Sequence, residues 1–141
     1  MLSSLDHVAL AVQDLDGAVG QYRSLLGREP GWRGVEGGAA HAWFQLANMA
    51  LDIIAPAGSG PGGDAVSARL QGHGEGPWAM AFVAPDLQKA LRALARRNVN
   101  ATDVALNRDI ERKASLLAAE GTHGPTIFVT EPGTHEQSRA E

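Results

Sequence analysis

Cysteine is absent from the sequence. That removes disulfides, thiolate nucleophiles and cysteine-based zinc sites together. Positive charge is scarce: 12 Lys and Arg stand against 16 Asp and Glu, for a net charge of −4. A nucleic-acid partner is therefore not expected, because phosphate binding needs a basic surface. The run Lys89, Arg92, Arg96, Arg97 is a local exception, read as the solvated face of a helix. No apolar stretch approaches the ~20 residues of a membrane span. The first 25 residues carry Asp6, Asp14 and Asp16 without an uninterrupted apolar core, so no signal peptide is expected and the cytoplasm is the default location. No serine lies in a nucleophile-elbow context, so a Ser-His-Asp triad has no support. Aromatics make up only 5% of the residues, and each Trp and Phe has to be accounted for.

What is present is a repeat. "LDHVALAVQDLDGAV" at Leu5–Val19 returns as "PWAMAFVAPDLQKAL" at Pro77–Leu91, with His7 replaced by Ala79. In the first copy the alternation of His7–Val12 predicts a strand. Asp14 then caps a helix with apolar Leu15, Ala18, Val19, Tyr22, Leu25 and Leu26, and Gly27 stops it. Strands are expected at Trp32–Glu36, Ala40–Leu46 and Met49–Ala55, with Asn48 at the turn between the last two. In the second copy a strand at Trp78–Ala84 leads to Asp86 as cap. The helix that follows has apolar Leu87, Ala90, Leu91, Leu94 and Ala95 and ends near Asn98. Strands are then expected at Thr102–Leu106, Lys113–Ala118 and Thr126–Glu131.

Each half thus reads β-α-β-β-β, and 141 residues suit one domain. Its expected parts are repeat one at 3–57, a linker and short helix at 58–74, repeat two at 77–132, and a solvated tail at 133–141. The fold class is α+β. Asp64 is expected to cap the short helix, through Leu70. A phosphate loop in "GSGPGG" is disfavoured, because no Lys-Ser or Lys-Thr follows it.

Alternate residues of a strand face opposite ways. One face therefore carries Val8, Leu10, Val12, Ala42, Phe44, Leu46, Leu51, Ile53, Met80 and Phe82 toward the helices. The other carries His7, His41, Trp43, Gln45, Asp52 and Phe128 over Ala9, Ala11, Ala79 and Ala81. Small residues beneath aromatic and polar ones suit a concavity for a small molecule. The plainer alternative is that the alanines let layers approach closely while the polar groups meet water.

"LDHVALAVQDLDGAVGQYRSLLG" with "LDIIAP" closing the first half resembles the vicinal oxygen chelate superfamily, the glyoxalase, bleomycin-resistance and dioxygenase group. Within it the chain looks most like the glyoxalase-like domain proteins. The resemblance covers nearly the whole chain. It implies paired βαβββ modules in a cupped, eight-stranded mixed sheet with helices on the outer face, and a homodimer. It also implies metal ligands on four strands, which fall on His7, Asp52, Ala79 and Phe128. Ala79 and Phe128 cannot ligate, and two protein donors are too few for a tight divalent site. No cofactor is therefore expected. Recruitment of His123, His73 or Glu131 is what a metal would require, with His7 and Asp52 as the retained ligands.

Two functions follow as expectations. One is an isomerase or lyase moving a proton beside a carbonyl without a metal. His7 would be its general acid or base, because imidazole ordinarily titrates closest to neutral pH, and Asp52 would orient it. His41, Trp43, Gln45, Phe128 and His123 would bind the small-molecule substrate. The other is a non-catalytic binding protein of the bleomycin-resistance type, for which Phe128 supplies an aromatic wall. A third possibility, a metal-dependent lyase or isomerase, needs the recruited ligand. A further alternative is a vestigial cup in a protein that serves only in an assembly, for which Trp32 and Trp78, with no assigned role within the core, could lie at a dimer interface. Arg108, Arg112 and Lys113 could meet an anionic substrate, and His135 in the tail is read as inert.

Overall fold

A computed structural model describes residues 1–105, 113–117 and 126–132 of the chain. The described elements are β1 (Ser4–Ala11), α1 (Leu15–Leu26), β2 (Trp32–Glu36), β3 (Ala39–Gln45), β4 (Ala50–Pro56), α2 (Pro61–His73), β5 (Gly76–Val83), α3 (Leu87–Ala95), β6 (Ala101–Ala105), β7 (Lys113–Leu117) and β8 (Thr126–Thr130). Both halves are thus β-α-β-β-β, with α2 in the link between them. The strands form one eight-stranded sheet in the order β2-β3-β4-β1-β5-β8-β7-β6. It is mixed, since β5 and β8 run parallel while β2–β3, β3–β4, β6–β7 and β7–β8 are antiparallel. The α+β class expected from the sequence holds.

The chain resolves into two compact units, Val8–Leu46 with Ala50–Trp78, and Met1–His7 with Ala47–Met49 and Ala79–Glu141. In the first, α1 begins at Asp14, whose carboxylate accepts from Gly17 N–H, and ends where Gly27 turns left-handed at φ 68°. Its apolar stripe packs on β3 and β4. Leu10, Ala18, Val19, Ala42, Phe44 and Ile53 form the buried cluster, with Val8, Val12, Leu15, Tyr22, Leu26 and Leu51 around it. Leu25 is not part of that stripe. It is 75% exposed, because at 100° per residue it lies about 80° from the stripe axis.

Helix α2 departs from its expected start. It begins at Pro61 behind Gly60, and Asp64 sits inside the first turn rather than capping it. The fixed φ of proline suits the first helical position, and the missing N–H costs nothing there. The Gly63 and Asp64 N–H groups are bonded to the Gly37 and Gly60 carbonyls, so the Gly-rich run closes on the β2–β3 turn instead of cradling an anion. Any side chain at Gly63 would run into the Gly38 and Gly58 carbonyls.

In the other unit, Asp86 caps α3 by accepting from Lys89 N–H. Ala84, Leu87, Ala90, Leu94, Leu117 and Val129 form its core, with Leu2, Leu91, Val99 and Ile127 alongside. Ala95, expected in that stripe, is exposed at the last turn of the helix. Met80 pairs with Ile127 and Phe82 with Val129, which places both on the α3 side of β5, as the alternation predicted. Ser3 is anchored to the Val83 carbonyl through its N–H at 2.9 Å.

Candidate functional site

The ladders β2–β3 and β3–β4 lay down the site row by row. Trp32 pairs with Trp43, which pairs with Asp52. In the next row Gly34 pairs with His41, which pairs with Ile54. Residues in register share a face, so this face carries Trp32, His41, Trp43, Gln45 and Asp52, opposite the α1 core. The sequence-based placement of His41, Trp43, Gln45 and Asp52 on one face is therefore what the register produces.

His41 lies one row from Asp52, a diagonal that a histidine and an aspartate can bridge. Its Nδ1 is 3.0 and 3.1 Å from the two Asp52 carboxylate oxygens. An ionised carboxylate only accepts, so Nδ1–H donates to both oxygens and Nε2 becomes the basic nitrogen. The pair is well shielded, with 16% of the His41 side chain and 10% of the Asp52 side chain exposed. The Trp43 indole N–H donates to Gln45 Oε1 at 3.1 Å, and Gln45 Nε2 donates to the Leu46 carbonyl. Trp43 is itself only 4% exposed, so its ring belongs to the packing of this face.

His7 has a different carboxylate partner from the one expected. Asp6 Oδ2 accepts from its Nδ1 at 2.8 Å, and Asp52 is bonded to His41. Asp6 is fully buried, which makes the pair a second shielded imidazole–carboxylate couple. Sequence reasoning gives Asp6 no role in the site and offers Trp32 only a dimer interface. The signal for Asp6 is an acid inside an otherwise apolar strand. For Trp32 it is the small Gly34 two residues on.

Phe128 lies on β8, in register with Ala81 and Leu116. Ala79 and Ala81 are buried, as are Ala9 and Ala11. His73 is exposed at the end of α2 and Glu131 follows β8. His123, Arg108, Arg112, His135 and the side chain of Lys113 lie outside the described residues.

The metal implied by the resemblance does not fit this donor set. Its third and fourth positions are a methyl group and an arene, at Ala79 and Phe128. Among the described residues no three His, Asp or Glu side chains group as an ion would require. Also among the described residues, no helix is long and apolar enough to cross a membrane.

The chain belongs to the Glyoxalase/Bleomycin resistance protein/Dioxygenase superfamily, whose family model matches residues 6–116. An ethylmalonyl-CoA/methylmalonyl-CoA epimerase of Cereibacter sphaeroides is 39% identical over 62 residues. That match spans 43% of this chain and 46% of the relative, less than half of each. A variant of the Streptomyces coelicolor methylmalonyl-CoA epimerase in complex with 2-nitronate-propionyl-CoA has the same fold. Its TM-score is 0.78, over 94% of this chain and 96% of that one at 21% identity. Methylmalonyl-CoA epimerase from Mycobacterium tuberculosis matches with a TM-score of 0.79, over 94% and 89% of the two chains at 23% identity. At these identities the structural likeness is one of fold.

Proposed function

We propose that the protein is an isomerase that epimerises the carbon beside the carbonyl of a small acyl thioester, of the 2-alkylmalonyl-CoA class. The named epimerases among its relatives support the substrate class. The observation that carries the chemistry is the His41–Asp52 couple. With Nδ1–H held by the carboxylate, Nε2 takes the proton from carbon, and Asp52 stabilises the imidazolium that forms. The carbon–hydrogen electron pair moves into the carbonyl to give a planar enolate. Return of the proton by the imidazolium regenerates the substrate, whereas protonation of the opposite face by water, with the imidazolium passing its proton to solvent, gives the other epimer, so atoms and charge balance without a redox partner.

In this reading no metal takes part. Ala79 and Phe128 leave the family's ligand set two donors short, and the imidazole supplies the proton chemistry directly. His7 on Asp6, the couple that includes the imidazole first expected to act, is the competing assignment for the base. A homodimer in the cytoplasm remains the expected working form, and sedimentation tests the first part of that. The experiment for the function itself is incubation with single-epimer methylmalonyl-CoA in D2O. Deuterium at the α-carbon with loss of optical purity supports the isomerase. Ligand recovered bound and unchanged would point to the binding protein instead.

A further inference from the structure

The charged partner of His41 lies on one diagonal and an indole on the other. Trp32 is one row from His41 across β2–β3, as Asp52 is across β3–β4. The Trp32 and His41 ring centroids are 6.0 Å apart with planes at 45°, within the range of aromatic ring pairs. What lets the indole lie there is Gly34, the residue directly opposite His41. A Cβ on Gly34 would stand 2.6 Å from Trp32 Cζ2 and 3.2 Å from its Cη2. The indole therefore runs along β2 over the bare glycine and reaches the imidazole from the side away from Asp52. Any larger residue at 34 would push it off.

We infer that Trp32, seated over Gly34, is a positioning residue that fixes the orientation of the His41 ring. The inference rests on His41 being the base proposed above. The Asp52 carboxylate holds the imidazole at Nδ1, and the indole lies against the ring from across β2–β3. The two contacts act on different sides of the ring, and together they keep Nε2 aimed in one direction. Small losses of aim are costly in proton transfer from carbon, because the reacting atoms must be held close to the productive geometry.

The test compares Trp32→Leu, Trp32→Phe and Gly34→Ala with the parent protein. The His41 ring protons are read by NMR at one fixed pH, and turnover of methylmalonyl-CoA is measured alongside. The indole ring current should displace the His41 signals in the parent protein from their positions without it. Trp32→Leu and Gly34→Ala should abolish that displacement, and Trp32→Phe should restore part of it. In step, kcat should fall about tenfold or more in Trp32→Leu with KM little changed, and Trp32→Phe should recover much of it. His41 signals that do not respond to Trp32→Leu or Gly34→Ala overturn the inference, whatever the turnover. Signals that respond while kcat stays level also overturn it. His41→Gln then separates the two failures: retained activity in that variant shows that the base was misassigned, and lost activity shows that ring orientation does not limit the reaction.

Discussion

His41 and Asp52 meet diagonally across the β3–β4 ladder, with Nδ1 3.0 and 3.1 Å from the two carboxylate oxygens. The contact depends on register, because His41 is paired with Ile54 and Asp52 with Trp43. One bond of this kind does two things. It selects the tautomer with the proton on Nδ1, and it lowers the cost of protonating Nε2. Asp52→Asn should lower kcat by about 10²–10⁴-fold, since an amide N–H can donate to Nδ1 and favour the wrong tautomer. Steady-state kinetics on methylmalonyl-CoA checks this, and unchanged kcat would remove Asp52 from the mechanism.

The Asp6–His7 couple predicts a stability effect first. Asp6 is fully buried and its Oδ2 accepts from His7 Nδ1 at 2.8 Å. Removing one partner of a buried hydrogen bond to a carboxylate costs about 1.5–3 kcal/mol. Asp6→Ala should lose about that much in urea unfolding, and Asp6→Asn, which keeps an acceptor in place, should lose less. An Asp6→Ala variant as stable as the parent would show that the bond adds nothing net.

Two glycines separate room from its absence. Gly20 lies inside α1, where an added Cβ would find nothing within 4 Å, whereas a Cβ at Gly63 meets the Gly38 and Gly58 carbonyls. Gly20→Ala should stabilise the protein by about 0.5–1 kcal/mol through helix propensity. Gly63→Ala should destabilise it, because backbone cannot move aside. Thermal unfolding of the two variants decides, and equal shifts would contradict the packing described.

Chelation is the test of the missing metal donors. Dialysis against EDTA should leave epimerisation unchanged, and soaking in Zn²⁺, Ni²⁺, Mn²⁺ or Fe²⁺ followed by desalting should leave no stoichiometric ion. About one retained ion per chain, lost on His7→Ala or Asp52→Ala, would mean that a third ligand has been recruited.

Much of the frame is legible in the sequence because its signals are local. Asp14 and Asp86 stand where caps belong, Gly27 where a left-handed residue is needed, and strict alternation sorts Ala42 and Phe44 from His41 and Trp43. The start of α2 is misleading because Asp64 looks like a cap, while Pro61 three residues earlier is a better first residue. The partners within the site are not legible. Pairing His41 with Asp52 needs the β3–β4 register, which sequence alternation leaves open by two-residue steps. Asp6 and His7 are neighbours in a strand, where consecutive side chains ordinarily face apart, so nothing in the pattern joins them. Trp32 gains its place only once Gly34 is known to lie opposite His41.

The most direct measurement is solvent exchange at the α-carbon of methylmalonyl-CoA in D2O, with EDTA-treated parent protein, His41→Gln and His7→Gln side by side. With His41 as the base, the parent protein incorporates deuterium and His41→Gln does not. Exchange that survives His41→Gln and disappears in His7→Gln would contradict that assignment, and would move the base to the Asp6–His7 couple.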